Sequence, residues 1–396
     1  MDQGPAAAGR LMKRDRLFTY DVRPGRLFRI PECPDNVMLD LTWRCNYRCS
    51  FCYNPSDLRK HADPPFELTA SILRRLAAWG VREVLYLGGE PMLHARFDAV
   101  IELGAALRLS QRVVTNGSAI DEARARLLEV HNVEVGVSLH SADRNVHNHL
   151  TGGRQGWEKA TAGLGLLIDH GVRRFVQYSP SRLEPRGLVE LGRFLRSRYG
   201  GLVRCIDVNR LLPFGEAAHD KAEVILPADG WWEVMKIAGE LVSSGWTIRV
   251  ESVPHCWVRQ RARSDGLADE SVRAILSCIR ACHIGVDQLA LSPLGMIKLC
   301  PGSAATECNL MDGTPSELWR QHPALVARRS YSFLPRECVD FGSATMCASF
   351  YDCIGGCRFA SGRPSPESDP LTIEGSRLPY TRGETGGRTH LVISGG

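Results

Sequence analysis

The sequence predicts an α/β protein: a parallel sheet curled into an open barrel, followed by a smaller cysteine-rich domain. Three observations predict it. From Val37 onward, short apolar runs of strand length alternate with longer segments whose apolar residues recur at helical spacing. Six such strand–helix units in a row place parallel strands side by side, with chemistry expected at their carboxyl ends. Beyond the last unit the cysteines return in number, and the 396 residues, 44% of them hydrophobic, suffice for one domain of about 200 to 250 residues plus a smaller one.

Taken in order, residues 1–36 form a polar N-terminal extension with a hairpin expected around Tyr20 to Ile30. The extension is too short for a separate winged-helix domain of the sort that grips a leader peptide. The barrel is expected over 37–255, with strands at Val37–Leu41, Glu83–Leu87, Gln111–Thr115, Val133–Leu139, Arg173–Tyr178 and Val203–Asn209. Between them Ala70–Trp79 reads as a helix: Ile72, Leu73 and Leu76 share a face, Thr69 is placed to cap the start, and Gly80 follows the end. Arg96–Leu109, Trp157–His170, Gly187–Arg198 and Asp229–Ser243 carry the same signals. Residues 256–360 make the second domain, where Gln288–Leu291 and Met296–Leu299 read as a hairpin turning at Pro293 to Gly295. The tail, 361–396, is rich in Gly, Pro, Ser and Thr and is expected to be mostly loose.

Charge excludes some functions. The 49 basic and 44 acidic residues leave a net +5 spread along the chain, and no basic block with interleaved aromatics suggests a nucleic-acid surface. Mild basicity suits an acidic electron donor. No stretch approaches the roughly 18 apolar residues of a membrane span, and no signal-peptide core precedes Val37, so the expectation is a cytoplasmic protein with no membrane partner. In a reducing compartment its 14 cysteines are candidates for metal ligands rather than disulfides.

Three cysteines, Cys45, Cys49 and Cys52, follow the first strand in LTWRCNYRCSFCYN with the spacing C-x3-C-x2-C. Soft thiolates that close together select an iron–sulfur, copper or zinc centre. Structural zinc wants four protein ligands, and no nearby His or Cys completes the set; a four-iron (4Fe-4S) cluster would be left with one open corner. The second strand ends in Gly88, Gly89, Glu90 and Pro91, where bare backbone can meet an amino acid's head group and Glu90 an ammonium. Asn116 and Ser138 close the third and fourth strands; Asn116-Gly117 also reads as a simple turn. His140, His147 and His149 lack the ordered spacing of a metal site and are expected on a loop facing substrate.

With Phe51 ahead of the third cysteine, the trio resembles the signature of the radical S-adenosylmethionine (SAM) superfamily, and GGEP resembles that superfamily's SAM amino-group motif. The resemblance implies a partial (β/α)6 TIM-like barrel and a cluster whose open iron binds SAM. It implies that Phe51, Gly88, Gly89, Glu90, Pro91, Asn116 and Ser138 contact the cofactor. Reduction of bound SAM would release a 5'-deoxyadenosyl radical that takes a hydrogen atom from substrate. An acidic residue often stands in relatives where this chain has His140.

The second half resembles the SPASM extension of such enzymes, which carries auxiliary four-iron clusters. Twelve residues separate Cys282 from Gly295 and four separate Gly295 from Cys300, and Cys338, Cys347, Cys353 and Cys357 follow with spacings x8, x5 and x3. By analogy Cys278, Cys282, Cys300 and Cys357 would hold a first auxiliary cluster. Cys338, Cys347 and Cys353 would hold a second with an open or non-cysteine position, or that second cluster is lost: the family's x2 spacing is x8 here, Ala344 stands where a cysteine would, and no cysteine follows Cys357.

Period-2 alternation puts Cys205 on one strand face with Asp207 and Asn209, a face expected to point into the cavity. A thiol there could donate a hydrogen atom and Asp207 could act as a base, so both are candidate catalytic residues. What most similar two-part enzymes do implies a maturase of a ribosomally made peptide, forming a crosslink, epimerising a centre or oxidising a side chain. The alternative is a small-molecule enzyme of antibiotic or sugar biosynthesis, acting as a dehydrogenase, epimerase or decarboxylase. Expected partners are the substrate, a flavodoxin or ferredoxin type electron donor and, for a peptide, a separate leader-recognition protein.

Overall fold

The computed structural model describes residues 30–54, 61–213, 215–218, 224–328 and Cys357, with the backbone of five short strand segments between 339 and 392. Strands β1 (Asn36–Thr42), β2 (Glu83–Gly88), β3 (Ser110–Thr115), β4 (Glu134–Ser138), β5 (Arg174–Tyr178) and β6 (Cys205–Val208) are the expected six, each within two residues at either end. They pair in chain order, all parallel. Two strands that the sequence reading lacked, β7 (Thr247–Glu251) and β8 (Ile279–Arg280), extend the sheet past β6.

On the free edge of β1 the chain returns as β9 (Gln288–Leu291), β10 (Met296–Lys298) and β11 (Ala305–Asn309). Strand β9 runs parallel to β1, and β10 and β11 are antiparallel to their neighbours. The result is one eleven-stranded sheet in the order β11-β10-β9-β1-β2-β3-β4-β5-β6-β7-β8. The hairpin of the cysteine-rich half therefore continues the barrel sheet and brings its turn to the edge that carries the first cysteine loop.

Helices α1 (Phe66–Trp79), α2 (Phe97–Ala106), α3 (Glu122–Val130), α4 (Arg144–Thr151), α5 (Gly156–Asp169), α6 (Gly187–Tyr199), α7 (Ala228–Ser243), α8 (His255–Ser264) and α9 (Asp269–Cys278) cover the sheet. Helix α1 starts a turn earlier than expected, because Pro65 at φ −54 sets its entry; Thr69 is buried inside the helix and caps nothing. Its end is as read, with Gly80 at φ 102. Helix α2 stops at Ala106, three residues short of the expected Leu109, and Arg108 follows in the left-handed region at φ 60. Side chains of Asp121 and Asp143 cap α3 and α4.

The two strand faces differ. Val37, Leu39, Val84, Val135, Ile206 and Val250 point at the helices and are buried with Ile72, Leu164 and Leu191 in the main core. On the opposite, inner face, Arg112 of β3 reaches Glu134 of β4 (2.7 Å) and, across the barrel, Asp207 of β6 (3.8 Å). Arg249 of β7 pairs closely with the same Asp207. Both guanidinium groups lie over the Phe175 ring, at 5.0 and 5.1 Å. Gly136 is obligatory beside it, since a Cβ there would enter that ring. The barrel floor is thus an ion-paired stack around one aromatic ring.

The expected hairpin at Tyr20 to Ile30 lies outside the described residues except for Ile30. In the tail, Arg377–Pro379 pairs with Thr345–Cys347, and Thr381–Thr385 pairs with Arg388–Val392. Among the described residues no helix is long and apolar enough to cross a membrane.

Candidate functional site

The loop after β1 carries Cys45, Cys49 and Cys52, all unbridged and half-buried. Its position is fixed from several sides. Gly89 N–H donates to the Thr42 carbonyl and Glu90 N–H to the Arg44 carbonyl, each at 2.7 Å. From the end of α4, the Thr151 and Leu150 carbonyls accept from Arg48 N–H (3.0 Å) and Ser50 N–H (2.9 Å). Cys52 N–H closes a turn on the Cys49 carbonyl (3.1 Å), and Glu216 N–H donates to the Cys52 carbonyl (2.9 Å) from the segment after β6. Tyr47 N–H points at Cys45 Sγ (3.4 Å), a donor to sulfur of the kind that tunes a cluster.

Gly88 and Gly89 serve this loop directly. A Cβ on Gly89 would overlap the Arg44 carbonyl oxygen and stand 2.6 Å from its carbon and 2.7 Å from the Trp43 oxygen; one on Gly88 would overlap the Thr42 oxygen. The glycines are there for the close approach of two backbones, beyond any approach of a ligand.

Glu90 is 1% exposed, and its carboxylate accepts from Met92 N–H (3.1 Å), Thr115 Oγ1 (2.6 Å) and Asn116 N–H (2.7 Å). Burial pushes this carboxyl up. Three of its acceptor positions tie the β2 end to the β3 end, two on Oε1 and one on Oε2. Asn116 continues the tie: its Nδ2 donates to Asn46 Oδ1 and Asn46 Nδ2 to Ser118 Oγ, both 2.8 Å, so the β3 end holds the cysteine loop. Gly117 follows at φ 78, so the turn reading at Asn116-Gly117 also holds.

His140 and His147 stack with ring centroids 5.8 Å apart, and Phe51 meets His140 edge-on at 4.7 Å. His140 Nδ1 accepts from Ser179 N–H (3.2 Å) and His147 Nδ1 from His140 N–H (3.1 Å). Both rings therefore carry their proton on Nε2, and burial lowers their pKa to about 3 and about 4. A neutral ring with Nδ1 taken and Nε2 protonated offers a metal no lone pair. The pair instead buttresses Phe51 and, through it, the cysteine loop. Ser138 ends β4 half-buried on the inner face.

Cys205 and Asp207 are on the inner face as expected, but in the wrong layer for the roles assigned to them. Cys205 opens β6, so its level is the amino end of a parallel sheet, about 10 Å below the carboxyl ends where the cysteine loop lies. Its Sγ is 3.9 Å from Asp207 Oδ1, and burial pushes the thiol up to about 11. Asp207 is bound to Arg249 and Arg112, so it is a structural counter-charge, not a free base.

Glu251, missed because β7 was missed, stands one inner-face position nearer the mouth than Arg249 and is exposed. No hydrogen bond or ion pair holds it among the described residues. Enclosure by the barrel, then repulsion from Asp207, raise its pKa to about 7, against the pull of Arg112 and Arg249. A carboxylate with a raised pKa at a barrel mouth is a candidate acid–base group.

In the second half, Cys282, Cys300 and Cys357 are half-buried, whereas Cys278 is fully buried at the end of α9. The Cys278 thiol donates to the Ala274 carbonyl (3.3 Å), and burial pushes it up to about 12. Cys338 and Cys353 lie outside the described residues, and of Cys347 only the backbone is described. Among the described residues no three His, Cys, Asp or Glu side chains are gathered as a ready metal site. Thiols on one anchored loop, with a backbone donor at sulfur, nonetheless fit an iron–sulfur group in kind.

A sequence model of the radical SAM superfamily matches residues 40–179. The mycofactocin maturase MftC of Mycolicibacterium smegmatis is 26% identical over 365 residues, covering 88% of this chain and 85% of that protein. The fold is similar to that of Streptococcus suis SuiB bound to precursor peptide SuiA, with TM-score 0.66 and 16% identity over 86% of this chain and 76% of SuiB. It is similar also to anSMEcpe with bound AdoMet, with TM-score 0.63 and 17% identity over 85% of this chain and 93% of that one.

Proposed function

Starting from a chain whose residues 40–179 belong to the radical SAM superfamily, we propose a peptide maturase that oxidises, crosslinks or epimerises a ribosomally made precursor. One observation carries the peptide reading: the likeness to a mycofactocin maturase runs through the barrel and on into the cysteine-rich half, over 88% of the chain.

Cys45, Cys49 and Cys52 would hold a four-iron cluster with SAM on its open corner, and together these supply a 5'-deoxyadenosyl radical when bound. The chain's own residues orient and protect. Gly88 and Gly89 press the β2 end against the cysteine loop; Glu90, Asn116 and Asn46 lock it to β3; Phe51 and the two neutral histidines wall its other side. The ion-paired floor closes the barrel below, leaving the mouth as the way in for a peptide segment.

Glu251 then receives or returns the substrate proton. Cys278, Cys282, Cys300 and Cys357 would hold an auxiliary cluster, able to accept the electron that a net oxidation releases. A flavodoxin or ferredoxin would supply the priming electron, and a separate protein would present the leader.

The test is anaerobic reconstitution of the full chain with SAM, dithionite and the precursor peptide encoded beside its gene. Deoxyadenosine formed together with a mass change of the peptide supports the reading. Deoxyadenosine formed with no change in any neighbouring peptide refutes the peptide assignment.

A further inference from the structure

The charged side chains outside the barrel floor include one buried pair that no step above uses. Asp40 lies on β1, five residues ahead of Cys45, and Lys298 lies on β10, two ahead of Cys300. Lys298 Nζ donates to Asp40 Oδ2 at 2.8 Å, with side-chain exposures of 7% and 3%. Strand β9 lies between the two, and Lys298 crosses it beside Ala290, its register partner. The same Nζ donates to the Pro301 carbonyl, inside the turn that carries Cys300. Its ammonium stands 5.9 Å from the centre of the Tyr53 ring. Tyr53 directly follows Cys52, hydrogen-bonds Asp40, and lies in the electrostatic field of both Cys52 and Cys300.

A buried ion pair is a weak way to stabilise a fold, since apolar residues of the same volume do as well without desolvating two charges. What a pair adds is direction: an ammonium with one carboxylate and one carbonyl has a single resting place. Here the two partners stand on the strands that lead into the two cysteine loops, and the ring beside them belongs to the first of those loops.

We propose that Asp40, Lys298 and Tyr53 are positioning residues that lock the Cys45–Cys52 loop and the Cys300 turn into one arrangement, so that the two cluster sites are built as a unit. The proposal rests on reading both loops as cluster sites. Without Lys298 the Cys300 turn loses its tie to β1, and Tyr53 loses the partner that holds Asp40 beneath it. Damage at either site is then felt at the other.

The test uses the anaerobically reconstituted full chain as wild type, K298M, K298R, D40N, C300A and L164A. Leu164 is fully buried in α5, so L164A lowers stability without touching either loop. Iron is counted per chain, and the electron paramagnetic resonance spectrum of the reduced protein is recorded before and after SAM is added. K298M and D40N are expected to lose about four irons, as C300A does, and to show an altered response to SAM at the Cys45 site. K298R is expected to recover most of both, and L164A to lower the melting temperature with wild-type iron and spectrum. Undiminished iron in C300A overturns Cys300 as a ligand, and the proposal with it. Iron loss in C300A beside wild-type iron and spectra in K298M overturns the proposal alone, and so does a spectral change in L164A equal to that in K298M.

Discussion

Replacing Gly89 with alanine adds one methyl where two backbones touch. That methyl would overlap the Arg44 carbonyl oxygen and stand 2.6 Å from its carbon and 2.7 Å from the Trp43 oxygen. Carbon atoms rest at about 3.5–4.0 Å, so the cysteine loop must retreat by roughly 1 Å. Both obstacles are main chain, and no rotamer can relieve them. Overpacking of this kind costs about 1–3 kcal/mol. Retreat also stretches the 2.7 Å bonds from Gly89 N–H to Thr42 and from Glu90 N–H to Arg44, worth about 1 kcal/mol each. The sum is roughly 3–5 kcal/mol, concentrated at the loop that carries Cys45, Cys49 and Cys52. Gly165 is the control: it lies in α5 with nothing within 4 Å of its Cβ position, so G165A is expected to gain about 0.5–1 kcal/mol. The assay is urea unfolding of the cluster-free protein, paired with iron content and SAM cleavage after reconstitution. If G89A unfolds at the wild-type midpoint and cleaves SAM normally, the close-approach reasoning is refuted.

Four further outcomes follow from the same geometry. E251Q should raise the melting temperature near pH 8 and leave it unchanged near pH 4: a folded pKa of about 7 against the ordinary 4.5 of a free glutamate means stability is full below 4.5 and lost as pH rises through 7. Solvent at the mouth keeps that gain below about 1 kcal/mol, and E251Q should slow peptide modification while leaving SAM cleavage intact. D207N should destabilise by roughly 2–4 kcal/mol, because Arg249 and Arg112 lose their shared counter-charge, whereas C205S should change neither stability by more than about 1 kcal/mol nor the amount of deoxyadenosine formed; a catalytic defect in C205S with intact folding would restore it as a hydrogen donor. His140 and His147 have lowered pKa values, so their contribution is present above 6.5 and lost as pH falls toward 4 and 3. H147N keeps an acceptor for His140 N–H without a titrating ring and should flatten the acid limb of a melting-temperature profile; an unchanged acid limb contradicts the neutral-pair account.

What the sequence made legible is local. The six barrel strands are apolar runs bounded by turns, and each pairs with its neighbour in chain order, so pattern alone locates them. Strand β7 hides because TIRVE alternates: Ile248 and Val250 face the helices while Arg249 and Glu251 face inward, and with only two apolar residues it reads as a loop. Missing it removed Glu251 and left Asp207 seemingly free of the arginine that holds it. Strand β8 has two residues, too few for any periodicity. Thr69 is a plausible cap by residue type, but Pro65 already sets the helix entry, and type cannot rank the two. The doublet Gly88-Gly89 was located correctly, yet the object that needs it, the Arg44 carbonyl, is reached only through the fold. The Asp40–Lys298 contact joins positions 258 residues apart and leaves no trace in sequence spacing.

The most direct test of the account is the yield of 5'-deoxyadenosine from SAM under reduction, measured side by side for the reconstituted wild type and for the C45A/C49A/C52A variant. The account predicts turnover in the first and none in the second, with about four fewer irons per chain in the variant. Equal deoxyadenosine from both proteins would contradict it.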